Sequence, residues 1–580
     1  MADEHFDAVI IGSGFGGSVM AYRLASAGLS VCLLERGQAF PPQSFPRAPY
    51  KLKRNFWDPS GGFFGMFNIW SFKGMGAVVS SGLGGGSLIY ANVMLRKDEK
   101  WFVKEDIANG GHEYWPVTRQ DLDDHYGRVE KMMNAQRYPF AQKPFNETGR
   151  TAAMIEAAGT LNLKVDLPPL AVSFRTKPVD DFDHPDEASN PPVVGEPIQE
   201  ARPNIHGRTR YTCVLCGECD IGCNTGSKNT LDYTYLTAAH HAGAQIRTLC
   251  EVRRFEPRPG GGFTVDYVTH DLGLEGQKHD TAQLPLTSIT CDRLILSAGT
   301  FGTPFLLLRN RAAFPRISNK LGSRFGVNGD LLSFILNAKK KDLIGFEEPR
   351  TIDPSFGPVI TSSIRIGDSE DGEEGRGFYI QDGGFPQLLS WFLDTGTDVP
   401  GFVNRLVYFG KRALWGYLGL NPDADLGGEI GTLLGDSTRS RSSFGILSMG
   451  RDIPSGTMRL RGKYLDVDWS TDESQYYYDR MVGVLKDFAG ALDADYVESV
   501  GYRFLRQVIS AHPLGGCPMG QSKNDGVVDS YGQVFDYPGL YIADGSVMPG
   551  PVGANPSMTI AALSDRFADH IIDTRQGAPR

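Results

Sequence analysis

The segment Phe6-Asp7-Ala8-Val9-Ile10-Ile11 runs directly into Gly12-Ser13-Gly14-Phe15-Gly16-Gly17 near the start of the chain. The apolar residues predict a buried parallel strand, and residues 16–27 predict the helix that follows it. A second strand is predicted over 30–34, and it ends at Glu35. Together these elements form a unit that binds a dinucleotide, because the helix N-terminus faces the pyrophosphate with partial positive charge.

Each glycine of this turn has its own structural reason. Gly12 permits the tight turn after the strand, and Gly14 lets the pyrophosphate approach the backbone. Gly17 allows the helix to pack closely on the strand. Glu35 lies 23 residues beyond Gly12, where a carboxylate binds ribose hydroxyls. NAD and FAD both bind such units, so the turn alone leaves the choice between them open.

The composition excludes several classes of protein. The 580 residues include 58 basic and 68 acidic side chains, and this acidic balance argues against a nucleic-acid partner. The 70 glycines follow no three-residue period, so a collagen-like fibre is excluded. Eight cysteines are too few for a secreted disulfide scaffold of this length. The polar N-terminus lacks a signal-peptide pattern and no apolar run reaches about 18 residues, so the sequence predicts a cytoplasmic protein.

Three further segments favour FAD over NAD. The run 82–87 supplies a second glycine-rich stretch of backbone, which NAD enzymes rarely need. A predicted strand ends at Asp544, whose carboxylate could reach a ribityl chain or the pyrophosphate. The turn Asn555-Pro556-Ser557 opens a helix whose positive end could face an anionic reduced flavin.

Four ordered motifs carry a resemblance to one enzyme family. They are the turns at 12–17 and 82–92, the sequence His512-Pro513-Leu514-Gly515-Gly516-Cys517, and the segment 544–556. Together they resemble the glucose–methanol–choline (GMC) flavoprotein oxidoreductases, and within that family the cholesterol oxidase branch with noncovalently bound FAD. The runs 228–236 and 327–330 are also similar to that branch.

The resemblance implies an α/β fold in which a Rossmann-type FAD-binding domain is assembled from separated segments, with an interleaved α+β substrate-binding (cap) domain. The FAD-binding domain is expected at 1–50, 74–110, 206–330 and 511–580, and the cap domain at 51–73, 111–205 and 331–510. The residues expected to bind FAD are Gly12, Gly14, Gly16, Gly17, Glu35, Gly84, Gly85, Ser87, Asn92, Val252, Ala298, Gly299, Asp544, Gly545, Pro556 and Met558.

His512 and Asn555 are the expected catalytic residues. Oxidation of an alcohol by a flavin needs a group that takes the hydroxyl proton, and histidine suits proton exchange near working pH. The resemblance places His512 in that role, with Asn555 near the flavin edge as a hydrogen-bond partner of the substrate oxygen. The alternative is that His512 is an ordinary core histidine and Asn555 a helix cap.

Gln381 departs from the family pattern and is the third expected residue of the catalytic site. Sterol oxidases of this branch carry a glutamate that shuttles a proton across the steroid ring, and that position falls within 378–386, at Gln381 by count. A glutamine can orient a substrate by hydrogen bonds but cannot exchange a proton. We therefore predict oxidation with weak isomerisation, unless the neighbouring Asp382 reaches the substrate.

A run of four cysteines, Cys213, Cys216, Cys219 and Cys223, has the C-x2-C-x2-C-x3-C spacing of a bacterial ferredoxin, although Asn224 follows where proline is usual. Thiolates so spaced could hold an iron–sulfur cluster near the flavin. Structural zinc is less favoured, because it usually draws ligands from two separated knuckles. The alternative is a tight loop with buried thiols or a disulfide and no metal, and no other metal site is predicted.

Two segments rich in aromatic residues, 56–76 and 385–420, exceed what a pocket for a polar substrate requires. Either they are ordinary core, or they form a lid that takes an apolar alcohol from a membrane or lipid particle. The lid interpretation predicts a sterol or another lipophilic alcohol as substrate, and a peripheral membrane contact.

The sequence as a whole predicts FAD-dependent oxidation of a hydrophobic secondary alcohol to a ketone, with oxygen or another acceptor reoxidising the flavin. One alternative is a dehydrogenase that passes electrons through the cysteine run to a quinone or protein acceptor. A flavin-dependent lipid photodecarboxylase or lyase, and a flavin-binding protein without catalysis, are the others.

Overall fold

The computed structural model describes residues 4–105, 112–341, 344–386 and 438–575. Its α-helices are α1 (Phe15–Ser26), α2 (Asp123–Met132), α3 (Gly149–Thr160), α4 (Tyr235–His241), α5 (Gly299–Arg309), α6 (Thr438–Arg441), α7 (Gln475–Ala491), α8 (Val500–Leu505) and α9 (Ser557–Arg575).

The three largest sheets of the described residues contain β1 (Glu4–Ile11), β2 (Val31–Leu34), β3 (Phe67–Ser71), β4 (Met75–Ser80), β5 (Val165–Asp166), β6 (Gln245–Arg247), β7 (Cys250–Pro257), β8 (Phe263–Thr269), β9 (Leu286–Leu296), β10 (Leu331–Leu336), β11 (Ser363–Ile366), β12 (Phe378–Gly383), β13 (Phe444–Gly450), β14 (Asp495–Glu498), β15 (Val508–Ser510) and β16 (Leu540–Ile542). Two-stranded ribbons join Trp57–Asp58 to Phe63–Phe64, Val103–Glu105 to His112–Tyr114, Gln136–Arg137 to Pro169–Leu170, Lys339–Lys341 to Glu347–Pro349, and Thr457–Arg461 to Tyr464–Asp468.

The first sheet has seven strands in the order β6-β2-β1-β9-β8-β7, with β16 paired to the end of β9. The pairs β6–β2, β2–β1, β1–β9 and β9–β16 are parallel, whereas β7 and β8 form an antiparallel hairpin at the edge. Helix α1 packs on β1 and β2 and also contacts α4 and α9. Strand β2 is buried at every residue, as expected for a parallel strand that is covered on both faces.

The second sheet has six strands in the order β5-β11-β12-β13-β10-β14, and all of its pairs are antiparallel. Helix α7 packs against β14 and α3. The strands of this sheet come from the segments predicted for the cap domain, and those of the first sheet from the segments predicted for the FAD-binding domain. The α/β fold class is confirmed, while the exact domain boundaries stay a prediction.

The local predictions near the first sheet are confirmed, with one correction. The predicted strand at 6–11 is β1. The sequence also predicts a turn at 259–262, and this turn joins β7 to β8. It further predicts a helix over 229–242, but that helix begins later, at Tyr235. The Leu231 N–H donates to Ser87 Oγ at 3.0 Å and the Thr230 hydroxyl donates to Asp232, so side-chain hydrogen bonds hold the preceding residues in a turn.

Part of the aromatic segment 56–76 packs against the rest of the protein, although Phe56 and Ile69 are exposed. Strands β3 and β4 pair as a hairpin and form a three-stranded sheet with β15. Trp70 stacks on Phe72, and each ring centroid lies 5.5 Å from that of Phe301 on α5. This favours ordinary packing for these residues. Residues 387–420 of the second aromatic segment lie outside the described residues, so the lid stays a prediction.

Within the described ranges, no helix combines the length and the apolar character that crossing a bilayer requires.

A buried ion pair joins α3 to the second sheet. The Nε of Arg150 donates to Asp382 Oδ2 at 2.8 Å, and both side chains are fully buried. Arg150→Met would leave a buried carboxylate without its counter-charge, so we expect the free energy of unfolding to fall by about 3–5 kcal/mol. Urea unfolding followed by tryptophan fluorescence measures the change.

Arg459 provides the matched control, because it pairs with Asp466 at 3.1 Å in a solvent-exposed position. Arg459→Met should change the free energy of unfolding by less than about 1 kcal/mol. If both substitutions lowered the free energy of unfolding equally, the buried ion pair would not contribute more to stability than the exposed one, and the prediction would be wrong.

Candidate active site

The first glycine turn lies where parallel strands end. The carboxyl ends of β1, β2, β9 and β16 meet at one edge of the first sheet, the position at which α/β sheets bind ligands. Gly12 has φ +100°, and a Cβ there would lie 2.3 Å from the carbonyl oxygen of Ser297. A Cβ on Gly17 would lie 2.0 Å from the carbonyl oxygen of Gly12. Both positions therefore require glycine because neighbouring backbone is in contact.

The second glycine-rich turn lies directly against the first. Gly85 has a positive φ, and a Cβ there would lie 2.7 Å from the Cα of Gly14. The Ser13 hydroxyl donates to Glu35 Oε2 at 2.6 Å and accepts the N–H of Gly84 at 3.0 Å. The other carboxylate oxygen of Glu35 accepts the N–H of Gly37 at 2.9 Å. The two turns, which are about 70 residues apart in the chain, thus form one cradle with the Glu35 carboxylate at its end.

This cradle has the space and the polar groups that a dinucleotide requires. A Cβ on Gly14 would meet no atom within 4 Å, so the backbone here faces open space. Asn92 is completely buried at φ +70°, and neither atom of its amide has a partner among the described residues. A buried amide without partners is costly, and a bound cofactor would supply the missing hydrogen bonds. Ser87 is also buried and accepts the N–H of Leu231.

Asp544, at the end of β16, fixes the neighbouring turns. One carboxylate oxygen accepts the Gly299 N–H at 2.9 Å and the Thr303 hydroxyl, and the other accepts the N–H and hydroxyl of Ser546. Burial raises the pKa of Asp544, and these hydrogen bonds oppose that rise. The carboxylate therefore positions protein groups at the edge where the cofactor is expected.

The other expected cofactor residues lie at or near the same edge. Ala298 precedes α5, and its N–H donates to Thr303 Oγ1 at 3.1 Å. Gly545 follows Asp544, and a Cβ there would lie 2.8 Å from the Thr300 hydroxyl. The remaining expected residues, Gly16, Val252, Pro556 and Met558, are all buried. Whether each contacts FAD stays a prediction.

His512 is held by a buried carboxylate. Its Nδ1 lies 2.8 Å from Oδ1 of Asp330, whose side chain is fully buried. The other oxygen of Asp330 accepts the backbone N–H groups of Ala511 and His512 and the hydroxyl of Ser510, at 2.8–3.0 Å. A carboxylate only accepts, so Nδ1 carries the proton and Nε2 keeps its lone pair. Nε2 has no partner among the described residues, which leaves it available as a base.

The turn 327–330 also holds the backbone beside Asn555. The side-chain amide of Asn328 donates to the carbonyl of Ala554 at 3.0 Å and accepts the N–H of Gly553 at 2.8 Å. Asn328 and Asp330 are both completely buried. One four-residue turn therefore positions both expected catalytic residues.

Asn555 and Gln381 face each other through their amides. Gln381 Nε2 donates to Asn555 Oδ1 at 2.8 Å, and Asn555 Nδ2 donates to Gln381 Oε1 at 3.3 Å. Gln381 lies on β12 and is completely buried, and its amide also reaches the Ser363 hydroxyl at 3.4 Å. The structure thus brings Gln381, chosen by count in the sequence, to the side chain of Asn555.

Asp382 is directed away from this pair. Besides Arg150, its carboxylate accepts the N–H groups of Thr361 and Ser362 at 2.9 and 2.6 Å. The hydroxyls of the same two residues donate to it as well. Successive side chains of a strand point to opposite faces, so Asp382 makes these hydrogen bonds on the face opposite Gln381. The alternative in which Asp382 reaches the substrate is therefore excluded in this structure.

Sequence reasoning missed the supporting residues. The turn 327–330 resembles that of the family, but the sequence alone predicts no role for Asp330 or Asn328, because their partners lie 182 and 226 residues away. Ser13 lies in the first glycine turn, and its hydroxyl links the two turns and Glu35. The available signal is a short polar residue inside the glycine turn.

The cysteine loop borders the same region. All four cysteines of the run are free thiols; Cys213 is buried and Cys216 is exposed, so neither a disulfide nor fully buried thiols describes the loop. Burial lowers the pKa of Lys228 to about 8. The 3₁₀ helix Cys219–Ile221 of the loop contacts the 3₁₀ helix Gly85–Leu88 of the second glycine turn, which places the loop beside the cradle.

Gly14 provides a test of the cradle. Gly14→Val would place a side chain in the open space without disturbing its neighbours, so we expect a folded protein whose FAD binding is weaker by about tenfold or more, equivalent to ~1.4 kcal/mol. Flavin absorbance retained after gel filtration measures binding, and thermal unfolding checks the fold. Gly483→Val, at another open glycine position on α7, is the control. Unchanged flavin content in Gly14→Val would overturn this location for the cofactor.

Comparisons with known proteins agree with this geometry. Residues 203–323 and 456–564 match the models of two GMC oxidoreductase domains, and residues 10–41 match a NAD(P)-binding Rossmann-like domain. A cholesterol oxidase of Mycobacterium tuberculosis is 29% identical over 576 residues, with 97% of this chain and 90% of that protein covered. A cholesterol oxidase of Acinetobacter baumannii is 27% identical, with 98% and 94% covered.

Less similar proteins also match over nearly the whole length of this chain. A long-chain-alcohol oxidase of Arabidopsis thaliana is 22% identical, with 98% of this chain and 68% of that protein covered. The crystal structure of pyridoxine 4-oxidase from Mesorbium loti superposes with a TM-score of 0.58 at 16% identity, covering 97% of this chain and 98% of that one, and so shares the fold. This chain therefore contains the two domains of GMC oxidoreductases, which are flavoproteins that use FAD.

Proposed function

We propose that the protein oxidises a hydrophobic secondary alcohol, such as the 3-hydroxyl of a sterol, to a ketone. The observation that carries this proposal is the single turn 327–330, which binds His512 through Asp330 and the backbone beside Asn555 through Asn328. A base and an amide held by one rigid turn are what the removal of a hydroxyl proton from an oriented alcohol requires.

His512 takes the hydroxyl proton. Its Nδ1–H is held by Asp330, so Nε2 presents a lone pair to the substrate hydroxyl. The Asp330 carboxylate stabilises the imidazolium that forms when Nε2 accepts the proton. Asp330 is therefore a positioning residue, while His512 contacts the reacting atoms.

Asn555 and Gln381 orient the alcohol oxygen. The two amides hydrogen-bond each other. Asn555 keeps one N–H and one oxygen lone pair for a substrate, whereas Gln381 keeps an oxygen lone pair, because its second N–H reaches Ser363. The buried position of Gln381 excludes water from this side of the hydroxyl. Because the two amides orient the alcohol but cannot take its hydroxyl proton, His512 takes that proton.

The cofactor proposed for this site is noncovalently bound FAD, held by the two glycine turns, Glu35 and Asn92. Bound FAD would supply the acceptor for the hydride that leaves the alcohol carbon, and oxygen or another electron acceptor would regenerate the oxidised cofactor.

The substrate class is supported by the relatives, whose names include cholesterol oxidases and long-chain-alcohol oxidases. We place sterols first and other lipophilic alcohols second. An apolar substrate of this kind is drawn from lipid, and the peripheral membrane contact predicted from the aromatic segments would be tested by sedimentation with phosphatidylcholine vesicles.

His512 and Asp330 are tested by their separate kinetic effects. His512→Asn removes the base, and we expect kcat/KM for a sterol to fall by about 10²–10⁴-fold with flavin content unchanged. Asp330→Asn should lower kcat with little change in KM, and Asp330→Glu should recover part of the loss, because Asp330 acts only through His512.

The control is His240→Asn, on helix α4, where no effect on turnover is expected. Turnover of His512→Asn within a factor of two of the native protein would show that another group takes the proton.

Gln381 is tested by the product that forms. Since neither Gln381 nor the buried Asp382 can carry a proton across the ring, a 3β-hydroxy-5-ene sterol should give mainly the unconjugated 5-en-3-one. Gln381→Glu should raise the yield of the conjugated 4-en-3-one, and Gln381→Met should not. Chromatography of the products at short times measures the ratio, and mainly 4-en-3-one from the native protein would refute this prediction.

A further inference from the structure

We propose that the loop 213–223 binds a polynuclear iron–sulfur cluster through Cys213, Cys216, Cys219 and Cys223. The proposal goes beyond the oxidation of an alcohol, and it concerns residues that the proposed chemistry at His512 does not use. It combines the ferredoxin-like spacing of the cysteines with the way in which the structure arranges their sulfur atoms.

The four side chains converge on one place. All four line the same small cavity, together with Lys228 and Gly357 among others. None of the four is bonded to another cysteine. Residues spread over eleven positions of a loop thus present four free thiols to a common space.

Two of the four sulfurs have hydrogen-bond partners. The Leu215 N–H donates to Cys213 Sγ at 3.4 Å. The hydroxyls of Thr225 and Ser227 lie 3.3 and 3.2 Å from Cys223 Sγ. Hydrogen bonds to sulfur are among the groups by which proteins tune iron–sulfur clusters.

The spacing of the sulfurs argues against a single metal ion. Among the described residues, no three of these sulfurs lie within 4.8 Å of one another. Four sulfurs around one zinc at ~2.3 Å would all lie within about 4 Å of one another. In a polynuclear cluster the cysteines bind different iron atoms, so their sulfurs do not need to approach one another as closely as around one zinc ion.

The rest of the protein fixes the shape of the loop. Arg47 donates to Glu218 at 2.9 Å and to the carbonyl of Gly222 at 2.6 Å. From the other side, the Gly217 N–H donates to the carbonyl of Gly357 at 3.0 Å, and a Cβ on Gly217 would lie 2.6 Å from the carbonyl oxygen of Ser355. The four thiols are therefore held in place by contacts that do not involve a metal.

The loop adjoins the cofactor cradle. The buried Lys228 ammonium donates to the carbonyl of Cys219 at 2.8 Å and to that of Leu88 at 3.1 Å. Leu88 ends the 3₁₀ helix Gly85–Leu88 of the second glycine turn, and this helix contacts the 3₁₀ helix Cys219–Ile221. The positive charge of Lys228 offsets the negative charge of thiolates. A cluster at this position would lie beside the site proposed for FAD.

The full-length protein is purified under nitrogen, and a second portion is incubated anaerobically with ferrous iron, sulfide and a thiol before gel filtration. We expect iron and acid-labile sulfide in near-equal amounts, with several atoms of each per chain, and a low-temperature electron paramagnetic resonance signal that dithionite changes. Cys216→Ser, at an exposed position that should not disturb folding, should lose most of this iron. Cys250→Ala, a buried cysteine of β7 outside the run, should keep it.

Three results would overturn the proposal. They are the absence of iron with four titratable thiols in the run, zinc without sulfide, and disulfides between these cysteines by mass spectrometry of peptides. Because the readouts are iron, sulfide and the magnetic signal, these results leave the assignment of His512 to alcohol oxidation untouched, and the failure of that assignment would leave this test unaffected.

Discussion

The hydrogen bonds of one turn, residues 327–330, are the constraint on which the proposed chemistry depends. Asn328 and Gly329 both have positive φ, and a Cβ on Gly329 would lie 2.2 Å from the hydroxyl oxygen of Tyr477 on α7. The turn leads directly into β10 of the second sheet, whereas Asn555 lies two residues before α9, which packs on α1, the helix that covers β1 and β2 of the first sheet. His512 and Asn555 are therefore aligned only while the two sheets keep their relative position.

The features predicted from the sequence are those with local causes. The glycine turn at 12–17 was predictable because tight turns and close backbone contacts demand glycine, and the structure shows those contacts at Gly12 and Gly17. The role of Asp330 was not predictable, since an aspartate in a turn has many possible partners and its own is far away in sequence. The predicted start of α4 was wrong for a related reason. Ser87, from the second glycine turn, accepts the backbone N–H of Leu231 and holds that residue outside the helix.

Gln381 and Asp382 are neighbours on β12, but their side chains point to opposite faces of the sheet and have different partners. Gln381 meets Asn555, while Asp382 is held by Arg150 and by the backbone and hydroxyls of Thr361 and Ser362. The carboxylate of Asp382, one position away from Gln381, thus stabilises the sheet and is not available for proton transfer. In the proposed reaction, the amide of Gln381 can orient the alcohol but cannot exchange a proton, so His512 takes the proton.

The central claim is that an alcohol held by Asn555 and deprotonated by His512 gives its electrons to bound FAD. Anaerobic mixing of the FAD-loaded protein with a 3β-hydroxysterol, and with the same sterol deuterated at C3, tests this directly through the flavin absorbance. The account predicts bleaching of the flavin that is slower with the deuterated sterol, because the C3–H bond breaks as the electrons leave. Flavin that stays oxidised with sterols and with other hydrophobic secondary alcohols would contradict it.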